Sequence, residues 1–209
     1  VRLMKESGCE GVFLGIESGN NEILKNMNKA ATIEKYREGI RLLKKYGIIC
    51  YASFIVGFPG ETMETIQDSL NFIEECQPDF FRTQLWYCDQ QTPIYQQKDK
   101  FKIEGSQFYW KHANMDCETA MQQIEKAFCS VKGSVWVPQY NFEFAGVFSL
   151  LHRGMTVEQI KEFLNLFNAG VREKVLDPEK EEVSEEIINK IKVLMGHNKL
   201  EDIEQVADK

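Results

Sequence analysis

Nothing in the chain constrains its fold as much as residues 48–61, which read I-I-C-Y-A-S-F-I-V-G-F-P-G-E. This run of apolar and β-prone residues stops abruptly at Gly57, Pro59 and Gly60, and an amphipathic helical pattern starts at Thr62. A continuous apolar run, closed by turn residues and followed by a helix, is the pattern of a parallel strand covered on both faces. Parallel α/β folds place their ligands at the carboxyl ends of such strands. The Gly-Pro-Gly corner is therefore the first place to look for a site.

The neighbouring stretches alternate in the same sense. Residues 1–7 read as the end of a helix stopped by Gly8. Residues 11–16 read as a short buried strand, closed by Glu17-Ser18-Gly19-Asn20, with Asn20 capping a helix over 21–28. Thr32 caps a longer helix that carries Ile33, Tyr36, Ile40 and Leu43 on one face and ends at Gly47. After the central strand, a helix over 62–76 places Ile66, Leu70 and Ile73 at helical spacing, and Pro78 closes it. Residues 80–87 form a third strand. Such alternation implies right-handed βαβ units and a parallel sheet or barrel.

From Tyr95 the pattern changes. Residues 95–110 are irregular and aromatic, and 116–131 read as a helix with Met121, Ile124 and Phe128 inward. An extended piece over 134–138 precedes helices over 141–152, from Thr156 onward, and over 184–195, and the acidic stretch 200–209 reads as a frayed end. Thr156 and Gln159 make a capping-box pair. The expected division is 1–95 and a mostly helical extension, 96–209.

Composition narrows the function classes. A net charge of −7 over 209 residues argues against nonspecific binding to nucleic acid phosphates. The longest apolar runs fall short of the ~18 residues a membrane helix needs. Six cysteines (Cys9, Cys50, Cys76, Cys88, Cys117, Cys129) are scattered with no C-x-x-C pair, so they read as reduced, mostly buried thiols of a cytoplasmic protein. The chain opens with Val1 inside a helical pattern, the expectation being a piece of a longer polypeptide.

Several residues stand where chemistry could sit. Glu17 and Ser18 follow the first strand, and a carboxylate there either accepts bonds from a ligand's hydroxyl or amine groups or caps the following helix. Gly57 leaves backbone open to a flat ligand or serves a tight turn; the sequence around it is neither G-x-G-x-x-G nor a P-loop. Lys29 either points back at the first corner or is solvated. His112, His152 and His197 show no metal-ligand spacing. The aromatics between Phe80 and Phe148 read mainly as core, with a minority lining a pocket for a large flat or apolar substrate.

Taken together, G-I-E-S-G-N-N-E-I-L-K-N-M-N-K (15–29), S-F-I-V-G-F-P-G-E-T (53–62) and the Thr92-Pro93 corner resemble the second half of radical S-adenosylmethionine enzymes. The likeness is to the branch with methylthiotransferases, coproporphyrinogen oxidases and cobalamin-binding methyltransferases. It implies an α/β fold: the C-terminal half of a (β/α)6 partial TIM-type barrel, strands four to six, followed by a mainly helical extension. It also implies a cofactor site. Glu17, with Ser18 beside it, would touch the ribose or methionyl part of S-adenosylmethionine, and Lys29 would pair with the methionyl carboxylate. Ile55 and Gly57 would pack on the adenine, and backbone from Trp86 to Cys88 would bond its edge.

The chain departs from that family in one respect. The C-x-x-x-C-x-x-C motif that holds the family's [4Fe–4S] cluster does not occur, and no residue here is a metal ligand candidate. The resemblance therefore implies a C-terminal portion, inactive by itself, of an enzyme that makes a 5′-deoxyadenosyl radical with the upstream part of the same polypeptide as partner. Trp110-x-His112 and Trp136-Val137-Pro138 are similar to the tail of cobalamin-binding radical methyltransferases, which implies an upstream cobalamin domain and methyl transfer. A radical oxidoreductase or methylthiotransferase is the enzymatic alternative. A non-catalytic S-adenosylmethionine- or nucleotide-binding module that lacks the cluster is the alternative from another class. The substrate, small molecule or peptide, and the catalytic residues stay open.

Overall fold

The computed structural model describes residues 1–138 and 144–196. The chain divides into two compact units, Val1–Ser134 and Val135–Lys209. In the first, the order is α1 (Arg2–Glu6), β1 (Gly11–Glu17), α2 (Asn21–Asn26), α3 (Ile33–Lys45), β2 (Ile49–Val56), α4 (Met63–Cys76) and β3 (Phe80–Leu85). A 3-10 turn at Tyr95–Gln97, α5 (Lys98–Phe101), a hairpin of β4 (Glu104–Ser106) and β5 (Tyr109–Lys111), and α6 (Cys117–Ser130) complete it.

β1, β2 and β3 lie side by side in that order, and both pairings are parallel. Phe13 stands beside Tyr51 and Tyr51 beside Phe80; one step on, Gly15, Ser53 and Arg82 share a row. Every residue of β2 except Ile55 is buried, as the unbroken apolar run requires. Alternation along the strand gives the two faces different work. Phe54 packs edge-on against Phe72 of α4, so that face carries the helices. The opposite face holds Phe13 and Tyr51, whose rings lie 5.2 Å apart, with the Arg82 guanidinium over both and its Nε donating to Ser53 Oγ.

Local signals explain where the helices start. Asn20 Oδ1 accepts the N–H groups of Glu22 and Ile23 and caps α2. Thr62 and Thr65 cap α4 reciprocally, which fixes its first turn directly after the Gly-Pro-Gly corner. Thr32 makes no side-chain cap; Asn21 Oδ1 takes the Ile33 N–H instead, so α2 caps α3.

Four expectations need correction. β3 ends at Leu85, two residues short of the expected 80–87, because the chain then turns to meet the hairpin. The aromatic stretch 95–110 is not irregular: its three-residue strands are too short to show a period. In α6, Met121 is exposed and the buried residues are Ala120, Ala127 and Phe128. Of the six cysteines, all free, only Cys50 and Cys88 are buried. By packing, the first unit runs to Ser134, with the hairpin and α6 on the strand ends.

The second unit contains β6 (Val135–Trp136), α7 (Phe144–His152), α8 (Val157–Leu176) and α9 (Glu185–Leu194). The Thr156–Gln159 capping box forms at the start of α8. Asn168, buried in α8, donates to the Trp136 carbonyl. Expectations for residues 139–143, His197 and the stretch 200–209 lie outside the described residues.

Candidate functional site

The first corner is built by an irregularity. The β1–β2 register shifts between Gly15 and Glu17, and Glu17 has φ of 71°, which is rare for a residue with a side chain. The shift leaves Ile16 fully buried and folds the Glu17 carboxylate back over Gly15. A Cβ on Gly15 would meet Glu17 Oε1 at 2.5 Å and would push that flexible carboxylate out of its place over the strand. Lys29 arrives from the loop after α2: its Nζ donates to Glu17 Oε1 at 3.2 Å and to the Gly15 carbonyl at 3.1 Å. The pair is half-buried, and one carboxylate oxygen remains for another donor. Ser18, by contrast, is fully enclosed, and its Oγ accepts the Asn20 N–H. It shapes the turn; the carboxylate beside it is the polar group nearer solvent.

The second corner, after β2, is closed by its own side chains. Glu61 is fully buried, and its Oε2 accepts the Gly57 N–H at 2.6 Å. Successive amides at 57 and 58 make a small anion-binding concavity, and Glu61 fills it. Burial without a cationic partner pushes the Glu61 carboxyl up to about 8, against the pull of those two N–H groups. Its Oε1 is buried with no hydrogen-bond partner. The φ of +89° at Gly57 needs glycine, and so does the space beside it: a Cβ there would lie 2.3 Å from the Trp110 ring. That space is taken by an indole of this chain. Ile55, on the face opposite the helices, is the only partly exposed residue of β2.

The third corner follows β3. The Trp86 N–H continues the ladder to the Val56 carbonyl, and the Trp86 carbonyl accepts Trp110 Nε1–H at 2.9 Å. Cys88 exchanges both backbone bonds with Gln107, each 2.8 Å. Within 86–88, those groups are occupied by the hairpin, and the Tyr87 carbonyl takes the Asp89 N–H. The Tyr87 N–H makes no hydrogen bond within the described residues. Sequence reasoning missed Trp110 at the third corner and His112 at the second, and it placed Glu61 in the second corner without its buried carboxylate. The available signal was the i, i+2 spacing of Trp110 and His112, which puts both on one face of an extended chain.

A polar groove also opens on the helical side of the sheet, lined by Asn20, Asn21, Arg37, Asp68 and Glu75 among others. Its charges are spent on one another: Arg37 forks onto Glu75, Asn20 bonds Asp68, and Asn21 bonds Glu34. Among the described residues no group of three His, Cys, Asp or Glu side chains could hold a metal ion. No helix among them is long and apolar enough to cross a membrane.

Against this geometry the comparisons are specific. Residues 1–73 match the model of the Radical SAM superfamily. An uncharacterized methyltransferase of Pyrococcus horikoshii is 35% identical over 79 residues, 38% of this chain and 17% of the relative. A tRNA-2-methylthio-N(6)-dimethylallyladenosine synthase of Alkaliphilus oremlandii is 36% identical over 104 residues, 48% of this chain and 22% of the relative. This chain thus spans about a fifth of the length of these curated relatives. Among solved structures, the archaeal Methanocaldococcus infernus Elp3 superposes with a TM-score of 0.51 at 23% identity, over 64% of this chain and 30% of that one. That likeness is one of fold.

Proposed function

We propose, for a chain whose residues 1–73 belong to the radical SAM superfamily, that it supplies the C-terminal wall of a radical S-adenosylmethionine site and acts with an upstream part of the same polypeptide. The observation that carries this reading is the Glu17–Lys29 pair at the carboxyl end of a parallel strand, beside the closed corner of β2. Its donor set fits the cofactor's polar end. Lys29 offers an ammonium to a carboxylate, and Glu17 keeps an oxygen for a ribose hydroxyl or an amino group. The Tyr87 N–H suits the edge of adenine, and Ile55, partly exposed, suits its face; the Trp86 ring is buried against Phe58 and Trp110. Cys88 contributes only shape, since both its backbone groups are bonded to Gln107.

The [4Fe–4S] cluster of the family does not fit the residues present. The six thiols are spread through the fold, and burial pushes the Cys50 thiol up to about 12, away from the thiolate a metal needs. Its ligands belong to another part of the polypeptide. When bound, S-adenosylmethionine supplies a carbon–sulfur bond whose reductive cleavage starts radical chemistry. The residues of this chain would bind and orient it: Lys29 and Glu17 at the amino-acid and ribose end, and Ile55 with the Tyr87 N–H at the base, the Gly57 corner being filled by Trp110.

For the reaction itself, the reading is cobalamin-assisted methyl transfer in the cytoplasm to a small molecule or peptide. The methyltransferase relative supports the methyl-transfer part of this reading. Methylthiolation is the second reading, favoured by the methylthiolating relative that covers 48% of this chain.

The test uses the full-length polypeptide, reconstituted without oxygen. Glu17→Ala and Lys29→Ala should each weaken S-adenosylmethionine binding about tenfold, the loss of one charge-assisted hydrogen bond. Equilibrium dialysis measures this without turnover. Unchanged affinity in both variants would remove the site from this corner. The electron paramagnetic resonance spectrum of the reduced protein, with and without the cofactor, tests the radical-enzyme reading separately.

A further inference from the structure

Trp110 and His112 reach two different strand ends from one short strand. Trp110 lies in β5 and His112 just beyond it, both on the same face, with their rings 8° from parallel and 5.4 Å between centroids. Trp110 Nε1–H donates to the Trp86 carbonyl at the end of β3. His112 Nε2 lies 3.3 Å from the Gly57 carbonyl at the end of β2. Because His112 Nδ1 accepts the Asn114 N–H, the proton belongs on Nε2, and the ring is a neutral donor to Gly57. Both side chains are buried, at 3% and 7% exposure, so neither bond competes with water.

Filling core would need the two rings but not this convergence. A trans peptide plane carries its C=O and N–H in opposite directions. Fixing the Trp86 carbonyl toward Trp110 therefore points the Tyr87 N–H the other way. Within 86–88, that amide is left without a partner among the described residues. Gly57 is held equally firmly, its N–H by Glu61 and its C=O by His112.

We infer that Trp110 and His112 are positioning residues for base recognition: they lock the strand-end peptide planes so that the Tyr87 N–H is presented to a ring-nitrogen acceptor, N1 of adenine. The inference rests on the proposed cofactor reading and adds to it the residues that set base selectivity. A purine that carries a hydrogen on N1, such as hypoxanthine, faces that N–H with another donor and is rejected.

The experiment measures a ratio, which a general loss of packing does not move in a set direction. The full-length polypeptide is dialysed without oxygen against S-adenosylmethionine and against its hypoxanthine counterpart. The native protein should prefer adenine about tenfold. Trp110→Phe keeps the ring but removes the N–H, and the preference should fall to near unity. His112→Leu should also lower it, and His112→Gln, which retains a side-chain N–H donor, should restore it. A folded Trp110→Phe or His112→Leu protein that keeps the native ratio overturns the positioning role while leaving the cofactor site in place. A native protein that binds adenine and hypoxanthine forms alike also overturns it. A native protein that binds neither sinks the cofactor reading, and this inference with it.

Discussion

At the scale of the residue, the site is set by groups that no solvated chain would tolerate. Glu61 illustrates this. Its carboxyl titrates near 8 in the folded chain and near 4.5 when unfolded, so between those values the folded state binds more protons. Its contribution is fully present below about 4.5 and is lost as pH rises through about 8. Glu61→Gln should flatten that decline in urea stability between pH 5 and 8; an unchanged slope would remove Glu61 as its source. His112 acts in the opposite sense: burial lowers its pKa, so its contribution is present above the ordinary value and is lost as pH falls through the depressed one. Gly57→Ala combines a left-handed φ with a clash against Trp110, and should cost about 2–4 kcal/mol in chemical denaturation. A loss below about 1 kcal/mol would mean that Trp110 moves freely. Glu17 and Gly57 stand at strand ends that the strand–helix alternation marks, whereas Lys29, past a short helix, is singled out only by the family resemblance. Glu61 lies within the corner the sequence marks, but the burial of its carboxylate against the Gly57 N–H depends on the corner folding over it.

At the scale of the element, local chemistry and packing agree along the first 85 residues. The apolar run of β2, the caps at Asn20 and Thr62 and the stops at Gly8 and Gly47 each encode a boundary within a residue or two of the one formed. Thr62→Ala should cost about 1 kcal/mol by removing one half of the α4 capping box, read as a lower urea midpoint with unchanged slope. An equal midpoint would show that the Gly-Pro-Gly corner alone starts the helix. The β4–β5 hairpin is the contrary case. Glu104–Ser106 and Tyr109–Lys111 have no alternating pattern and no Asn-Gly turn; Gly105 and Gln107 take the positive φ instead. The hairpin forms because Trp110, Ile103 and Met115 bury against Trp86 and Phe58, a tertiary gain with no local signature.

At the scale of the whole molecule, the compact unit and the family segment are different lengths. The superfamily match ends at residue 73, whereas packing continues to Ser134. A chain ending at Ser134 should keep one cooperative unfolding transition by tryptophan fluorescence, and a chain ending at Tyr95 should lose it with Trp110 and α6. Equal cooperativity in both would return the boundary to 95. The sequence by itself determined the alternation of strands and helices, the parallel order, and the corners at the strand ends. Those depend on hydrophobic period, caps and glycines, which act over a few residues. Only the tertiary structure decided which groups at the corners are spent and which are left: Glu61 and His112 on Gly57, Trp110 on Trp86, Gln107 on Cys88, and the Tyr87 N–H on none of the described residues. The reason is physical. Hydrogen-bond satisfaction at a strand end is a contest among residues up to 55 positions apart, and no local pattern in the chain records who wins it.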